Sequence, residues 1–194
     1  MELDIRLVDA ESLPEYSTIP ISFEVKSQLR VELLNDGFNG IALHEESVKP
    51  PYIKDYDKDN GEGPTRFPKV FDISNWAIFL AWKDNNPVGG ATLAFRTPGV
   101  NMLNGRDDLA ALWDLRIHPD YRRSGIGTKL FTEAVKWSEE KGCHQLKVET
   151  QNINVPACRF YVRQGCRLGE INRYAYASEP SIAHETMLIW YLDL

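Results

Sequence analysis

The pattern of hydrophobic and polar residues in the first part of the chain indicates strands and a long loop. Apolar and polar side chains alternate along FEVKSQLRVELL, which predicts a strand over residues 23–34. The Asn35-Asp36-Gly37 tripeptide predicts a tight turn, so we expect IALHEESV to return as the partner strand. Residues 49–70 are rich in proline, glycine and charge, and they predict an exposed loop with room for one helical turn.

Later in the chain, strands alternate with helices. NWAIFLAW and VGGATLAF, separated by KDNNP, predict an antiparallel hairpin, and LAALWDLRIHP predicts a third strand that stops at Pro119. Apolar residues from Ile126 to Trp137 follow helical spacing, and Gly142 lies where a helix C-cap belongs. HQLKVETQ predicts a strand, residues 155–164 a second helix, and CRLGEINRYAYA and HETMLIWYLDL two closing strands. This order predicts an α+β fold in which helices pack on one mixed sheet.

Length and composition are those of a single globular domain over residues 1–194. Hydrophobic residues make up 43% of the chain, and no apolar run approaches the ~20 residues of a membrane-spanning helix. The acidic beginning MELDIRLVDAESL lacks the basic and apolar regions of a secretory signal. Cys143, Cys158 and Cys166 are odd in number and have no CxxC spacing, which argues against a disulfide framework and a zinc site. We therefore expect a reduced, cytoplasmic protein that does not enter a membrane.

The net charge of −6 at pH 7 indicates which partners the protein favours. Nucleic acid is disfavoured as the main partner, because neutralising its phosphates requires a basic face. A cationic or amine substrate is instead attracted by an acidic protein.

The heptapeptide YRRSGIG, residues 121–127, stands where a strand is followed by the long helix. A glycine-containing turn lets several backbone N–H groups point at one spot, to which the helix N-terminus adds about half a positive charge. Gly125 and Gly127 permit a ligand to approach closely, and Arg122 and Arg123 can add charge-assisted hydrogen bonds. The pattern fits an anion cradle suited to phosphate, and it fits an ordinary turn with solvated arginines equally well. Neither a P-loop sequence nor a complete dinucleotide GxGxxG is present.

Two sequence blocks resemble those of one enzyme superfamily. Arg122, Gly125 and Gly127 form Arg-x-x-Gly-x-Gly after the strand LWDLRIHP, and NVPACRFYVRQG follows from Asn154 to Gly165. Together they resemble the pyrophosphate-binding signature and the N-x-x-A-x-x-[FL]-Y-x-x-x-G block of the GNAT superfamily of N-acetyltransferases. The resemblance implies the GNAT fold, a single mixed and mostly antiparallel sheet with flanking helices, whose central parallel strands splay apart.

The resemblance covers roughly residues 75–194, and the first 74 residues, which would supply acceptor-side strands and the acidic loop, diverge more. PPYIKDY, the ETQ after the strand HQLKV and the closing WYLDL are similar to streptothricin acetyltransferases, which extends the match toward residue 21. Cys166 departs from the phenylalanine that the superfamily usually has after the glycine of the second block.

The resemblance implies acetyl-CoA as cosubstrate and assigns residues to it. The residues that would hold its pyrophosphate are Arg122, Arg123, Ser124, Gly125, Ile126, Gly127 and Thr128. The pantetheine amides would pair with the backbone of the preceding strand at Leu115, Arg116 and Ile117. The backbone N–H of Ile117 would also stabilise the oxyanion that develops on the thioester carbonyl.

Tyr161 and Asn154 each have two readings. The resemblance makes Tyr161 the general acid, because a phenol of pKa ~10 can protonate a departing thiolate whose conjugate pKa is ~8.5. The alternative is an aromatic side chain packed on the helix face, as Phe160 beside it must be. Asn154 begins the second helix, where it fits both an N-cap and a contact with the cofactor.

The substrate amine is protonated at neutral pH, so a carboxylate, directly or through water, must accept a proton before attack. Asp114 and Glu149 are the candidates for this base, and either could bind the ammonium group instead. The alternatives are a salt bridge between Asp114 and Arg116, and a solvated strand position for Glu149. His118 is expected to be structural or solvent-facing. Direct attack by the amine implies neither a bound metal nor a covalent enzyme intermediate.

The acidic loop, residues 55–62, can form a wall for a polycationic acceptor together with Glu45 and Glu46, or can simply be solvated. If the resemblance to streptothricin acetyltransferases holds, the acceptor is an amine of the antibiotic's β-lysine moiety.

We therefore expect an enzyme that transfers acetyl from acetyl-CoA to a primary amine of a small cationic molecule, by direct attack in a ternary complex. Streptothricin-type antibiotics come first among the acceptors. The alternatives are an acetyltransferase for a polyamine or a protein amino group, and a catalytically idle domain that binds acyl-CoA. Many members of the superfamily dimerise, so a homodimer stays open, although the sequence identifies no interface.

Overall fold

The computed structural model describes residues 3–61 and 63–194, with the backbone alone at residues 59 and 60. Its strands and helices are, in chain order, β1 (Asp4–Val8), α1 (Leu13–Tyr16), β2 (Phe23–Leu33), β3 (Ile41–Lys54), α2 (Tyr56–Asn60), α3 (Phe67–Val70), β4 (Ala77–Lys83), β5 (Asn86–Phe95), β6 (Leu109–Ile117), α4 (Ile126–Glu140), β7 (Gln145–Gln151), α5 (Val155–Arg163), β8 (Arg167–Asn172) and β9 (Met187–Asp193). Seven strands form a sheet in the order β1-β4-β5-β6-β7-β9-β8. The expected α+β class, with a large mixed sheet and few helices, is confirmed. No helix in the described ranges is long and apolar enough to span a membrane.

The chain divides into two compact units. The first consists of the residues up to Ser22, residues 55–148 and residues 191–194. The second consists of residues 23–54 and 149–190. Strands β7 and β9 contribute residues to both units.

The first unit is built on antiparallel strands and one parallel pairing. β1 pairs with β4, β4 with β5 and β5 with β6, all antiparallel. The β4–β5 hairpin turns at Asp84 and Asn85, which both have positive φ. β6 runs parallel to β7, with Leu109–Leu112 opposite Gln145–Val148. Helix α4 packs on β4, β5 and β6. It buries the side chains that helical spacing predicts, Ile126, Leu130, Ala134 and Trp137.

A β-bulge interrupts β6 where its pairing with β7 ends. Thr92 and Leu93 are consecutive in β5 but lie opposite Asp114 and Leu112, so Trp113 is an extra residue in β6. A bulge bends its strand and increases the local twist. The pairing of β6 with β7 stops at Leu112, so the rest of β6 is left without this neighbour, as expected for splayed parallel strands.

The core of the first unit places one tyrosine hydroxyl beneath β6. Tyr16 is fully buried, in an apolar cluster with residues of α1 and β4. Gly90 of β5 makes room for it, since a Cβ at this position would lie only 2.4 Å from the Tyr16 ring. A second cluster surrounds Trp76, whose ring centroid lies 5.7 Å from that of Phe71 and 5.6 Å from that of Trp113.

The second unit contains the β2–β3 hairpin and α5, which packs on β2. Along β2 and β3 only Val25 and Lys54 are buried. Thr150 of β7 is a polar centre of this unit, because its hydroxyl accepts a hydrogen bond from Trp190 Nε1 at 2.8 Å and contacts Cys158 Sγ at 3.3 Å.

Three sequence expectations are corrected by the structure. β2 and β3 form their own two-stranded sheet instead of joining the large one, because most of their side chains are exposed or half-buried and do not require cover on both faces. Residues 49–54 complete β3 instead of beginning a loop. Pro50 and Pro51 are tolerated there because a strand in a two-stranded sheet has a free edge. β8 ends at Asn172, so residues 173–177 form turns instead of extending the strand. Strand β1, which spans only five residues, was not predicted from the sequence.

Candidate functional site

The turn before α4 contains several backbone N–H groups that have no backbone acceptor. Arg123 and Gly125 have φ of 62° and 86°, and Gly125 is the helix N-cap, with no side chain capping the helix. The first backbone hydrogen bond of the helix runs from Lys129 N–H to Gly125 C=O at 3.1 Å. Within the described ranges, the backbone N–H groups of residues 123–127 donate no hydrogen bond to another backbone group. The turn therefore has the donors that an anion cradle needs.

The side chains of this turn divide into structural and exposed ones. Arg122 Nε donates to the Ile117 carbonyl at 3.1 Å and its Nη2 to the Ser22 carbonyl at 2.7 Å, and burial lowers the pKa of Arg122. Ser124 Oγ donates to the Tyr121 carbonyl at 2.5 Å. The Arg123 residue is exposed. Arg122 thus fixes the turn to the end of β6, whereas the side chain of Arg123 is accessible to solvent.

At the end of β6, some backbone N–H and C=O groups face away from the partner strand β5. His118 N–H donates to the Val88 carbonyl at 2.9 Å, and in an antiparallel ladder every second residue faces the partner strand. Arg116, two residues earlier, therefore faces β5 with its backbone. The N–H and C=O groups of Leu115 and Ile117 face away from β5, on the edge that β7 leaves after Leu112. Of the three residues that the resemblance assigns here, Leu115 and Ile117 have the backbone groups that face away from β5.

Arg116 uses its side chain in a buried ionic network of the first unit. Its Nη2 donates to Asp114 Oδ2 at 2.6 Å and its Nε to Asp114 Oδ1 at 2.9 Å. Its two terminal nitrogens also bind both carboxylate oxygens of Asp57, at 2.7 and 3.0 Å. Burial disfavours the charged guanidinium, yet Asp114 and Asp57 raise the pKa of Arg116 above its usual value. The Arg116 side chain is only 1% exposed, so it is a structural cation beneath the strand.

Asp114 is enclosed by this network. Tyr16 Oη donates to Asp114 Oδ1 at 2.7 Å, and the carboxylate side chain is 7% exposed. Burial, and then the nearby Asp114 charge, raise the pKa of Tyr16 well above its usual range, against the opposing effect of Arg116. The structure thus shows the salt bridge that was the alternative reading of Asp114.

Glu149 of β7 lies in a different polar cluster, in the second unit. Tyr176 Oη donates to Glu149 Oε1 at 2.7 Å, and Gln151 Nε2 donates to the same oxygen at 3.2 Å. Glu149, Gln151 and Tyr176 are each half-buried. Glu149 is therefore held by specific partners and differs from the freely solvated strand residue of its alternative reading.

Asn154 and Tyr161 both belong to α5: Asn154 caps its N-terminus and Tyr161 lies within the helix. Asn154 Oδ1 accepts a hydrogen bond from Ala157 N–H at 3.2 Å, so it is the helix N-cap. Tyr161 is buried, and its ring centroid lies 5.1 Å from that of Phe160. Cys166 is buried behind the helix, and burial raises its pKa to about 11.

The acidic residues do not all line a wall. Asp55 Oδ1 accepts a hydrogen bond from Asp57 N–H and caps α2, while Asp57 binds Arg116. In the second unit, Glu45 binds Arg159 and Glu46 binds Arg30. Glu62 lies outside the described residues. Internal ion pairs thus account for much of the acidic charge expected to face an acceptor.

Tyr16 and Tyr176 were not singled out from the sequence, and Asp57 was named only as part of the acidic loop. Tyr16 and Asp57 are distant in sequence from Asp114 and Arg116, which they contact. Tyr176 falls in a stretch whose apolar alternation predicts a strand, and nothing in that pattern distinguishes its hydroxyl from that of Tyr174.

A family model described as the acetyltransferase (GNAT) family matches residues 42–166. Streptothricin acetyltransferase A of Bacillus subtilis (strain 168) is 29% identical over 154 residues, which cover 79% of this chain and 80% of the relative. Streptothricin acetyltransferase of Escherichia coli is 28% identical over 169 residues, covering 87% and 84%.

Solved structures share the whole fold. The crystal structure of a provisionally assigned streptothricin acetyltransferase from Bacillus anthracis str. Ames, in complex with acetyl coenzyme A, superposes with a TM-score of 0.78 at 26% identity and covers 100% of both chains. A nourseothricin acetyltransferase has a TM-score of 0.76 at 23% identity, covering 100% of this chain and 99% of its own, a likeness of fold.

Proposed function

This chain belongs to the acetyltransferase (GNAT) family, and we propose that it transfers the acetyl group of acetyl-CoA to a primary amine of a small cationic acceptor, with streptothricin-type antibiotics first among the candidates. The observation that carries this proposal is the row of unsatisfied backbone N–H groups at the start of α4. They match the position that the Arg-x-x-Gly-x-Gly sequence assigns to the cofactor pyrophosphate.

The cradle would hold the pyrophosphate by geometry and charge. The N–H groups of residues 123–127 lie at the positive end of α4, and the exposed Arg123 adds a full charge. Thr128 completes the first turn of the helix. Because Gly125 carries no Cβ, a phosphate oxygen can approach the backbone at the N-cap directly.

The edge of β6 beyond its pairing with β7 would hold the pantetheine arm. Leu115 and Ile117 direct their backbone groups away from β5, so amides of the arm can pair there as an added strand does. The Ile117 carbonyl already accepts a hydrogen bond from Arg122. Its N–H remains the group proposed to stabilise the oxyanion of the thioester carbonyl.

The chemical step needs one proton donor and one proton acceptor. The amine nitrogen of the acceptor attacks the thioester carbonyl, a C–N bond forms and the C–S bond breaks. Tyr161 would protonate the departing thiolate, as its place in the second sequence block implies. The amine gives up a proton to a carboxylate, directly or through water, so that the products are the N-acetylated acceptor and free CoA.

Glu149 is the carboxylate that we favour for the acceptor side. Asp114 is almost enclosed and already binds Tyr16 and Arg116, so protonating it would cost the ionic network. Glu149 is half-buried, and two neutral groups, the Tyr176 hydroxyl and the Gln151 amide, donate hydrogen bonds to its Oε1 atom. A carboxylate in this state attracts an ammonium group.

The acceptor class rests on the relatives and on charge. Three of the relatives compared with this chain carry the name streptothricin acetyltransferase. The net charge of −6 favours a cationic acceptor. The protein would accordingly act in resistance to such an antibiotic.

The test is release of free thiol from acetyl-CoA in the presence of an amine panel: streptothricin, spermidine and other polyamines, and peptides with free N-termini. We expect turnover with streptothricin at the highest kcat/KM of the panel. A higher kcat/KM with a polyamine or a peptide would reassign the acceptor, and tight CoA binding without turnover on any amine would mark an idle acyl-CoA-binding domain.

A further inference from the structure

The second unit contains a closed triangle of hydrogen bonds around Glu149. Gln151 Nε2 donates to Glu149 Oε1 at 3.2 Å and to Tyr176 Oη at 2.8 Å. Tyr176 Oη in turn donates to Glu149 Oε1 at 2.7 Å. Two of these residues lie in β7, and Tyr176 comes from the turns between β8 and β9.

The triangle fixes the direction of each proton. Gln151 Nε2 has two hydrogens and donates one to Glu149 and one to Tyr176, so the Tyr176 oxygen accepts a hydrogen bond from Gln151. The Tyr176 hydroxyl hydrogen is donated to Glu149. Two donors on one carboxylate oxygen hold the carboxylate at a fixed rotation.

The turn segment brings Tyr176 to β7 without help from a strand ladder. Successive turns bond Ala177 N–H to Tyr174 C=O at 3.2 Å and Glu179 N–H to Tyr176 C=O at 2.9 Å. Tyr174, two residues earlier, is 74% exposed, whereas Tyr176 is half-buried with its hydroxyl turned inward. A phenol in an exposed turn has water available for its hydroxyl, so an inward hydrogen bond to a carboxylate is a specific arrangement.

We infer that Tyr176, assisted by Gln151, is a positioning residue for the amine acceptor: it holds the Glu149 carboxylate in the orientation that receives the acceptor's ammonium group. The inference rests on the proposed function and extends it to a residue outside the family's sequence blocks. The hydrogen bonds occupy Oε1 at a set angle, which fixes the direction of the other oxygen. Loss of the Tyr176 hydroxyl would let the carboxylate rotate and would weaken acceptor binding, while the cofactor side would be unaffected.

The experiment compares Tyr176→Phe with the control Tyr174→Phe, using steady-state kinetics with streptothricin or the best amine of the panel. Tyr176→Phe keeps the ring and removes one hydrogen bond to a charged group, so we expect the KM for the acceptor to rise about tenfold. The kcat should stay within about threefold and the KM for acetyl-CoA should not change. Tyr174→Phe should match the wild type in all three constants, because its side chain is exposed.

A double-mutant cycle with Glu149→Gln tests whether Tyr176 acts through Glu149. If it does, Tyr176→Phe in the Glu149→Gln background should change kcat/KM for the acceptor by less than about twofold. Additive losses would overturn the inference, as would a Tyr176→Phe enzyme with wild-type constants. A fall in kcat with both KM values unchanged would also overturn it, since that result indicates a general structural role.

Failure of the inference can be distinguished from failure of the proposed function. A wild-type enzyme without turnover on any amine overturns the proposed function and the inference together. An active wild type whose acceptor KM is insensitive to Tyr176→Phe overturns the inference alone.

Discussion

Among single residues, two buried cysteines are poorly suited to act as nucleophiles. Burial raises the pKa of Cys158 to about 11, against a weaker lowering by the hydrogen bond to Thr150, and burial raises that of Cys166 to about 11 as well. Neither side chain is a thiolate near neutral pH, so neither is a candidate nucleophile. This agrees with the proposed direct attack by the substrate amine, in which Tyr161 is the proposed proton donor.

Tyr161→Phe tests this role at the residue scale. The ring is retained, so packing and the affinity for CoA should be nearly unchanged, while the proton donor is lost. We expect kcat to fall roughly 100-fold or more, as for the removal of a general acid. Steady-state kinetics and calorimetric titration with CoA measure the two quantities. A kcat within about twofold of wild type would show that Tyr161 is not the acid.

Residue roles could be predicted from the sequence only where a motif fixes the position. Asn154 is the N-cap that its residue type and place predict. For Asp114 both readings were open, and only the three-dimensional structure brings Tyr16 and Asp57 to its network. Such partners lie far apart in the chain, and no local pattern of hydrophobicity encodes their contact.

Among the elements, α4 and the end of β6 are the proposed cofactor side. The bulge at Trp113 ends the pairing with β7, and Arg122 then joins the α4 turn to Ile117. The strand edge and the helix N-terminus are thereby fixed to one another within the first unit. Rigid placement of donors lowers the entropic cost of binding a flexible cofactor.

Gly125→Val tests the helix N-terminus, with Gly142→Val as the matched control at the other end of α4. Both glycines have positive φ, 86° and 76°, and at both an added Cβ would meet no atom within 4 Å. Each substitution should therefore cost a similar strain, about 1–3 kcal/mol. Only Gly125→Val places a side chain in the cradle, so only this variant should lose affinity for CoA, on the order of 100-fold.

Titration calorimetry measures the affinities and thermal unfolding the stabilities of these two variants. Equal loss of CoA affinity in both would mean that strain alone is responsible. Wild-type affinity in Gly125→Val would count against the cradle.

The elements themselves were predictable where the periodicity is long and clean. The β4–β5 hairpin, β6, α4 and α5 follow their apolar spacing. Residues 49–54 were misread, because two prolines indicate a loop and only pairing with β2 reveals the strand. Residues 173–177 were misread for the opposite reason, since their alternating apolar side chains lack a strand partner.

For the whole molecule, family membership and fold agree with what two short sequence blocks implied. The match to the acetyltransferase (GNAT) family and to full-length solved structures confirms the resemblance on which the cofactor was expected. The division into two compact units could not be predicted, because each unit is assembled from separate stretches of the chain. The acceptor likewise depends on side chains that only folding brings together.

The most direct measurement of the central claim is a crystal structure of the protein with CoA bound. We predict that the pyrophosphate lies within hydrogen-bonding distance of the backbone N–H groups of residues 123–127, and that the pantetheine arm lies alongside Leu115 and Ile117. A complex in which the diphosphate lies away from the start of α4, with those N–H groups still unoccupied, would contradict it.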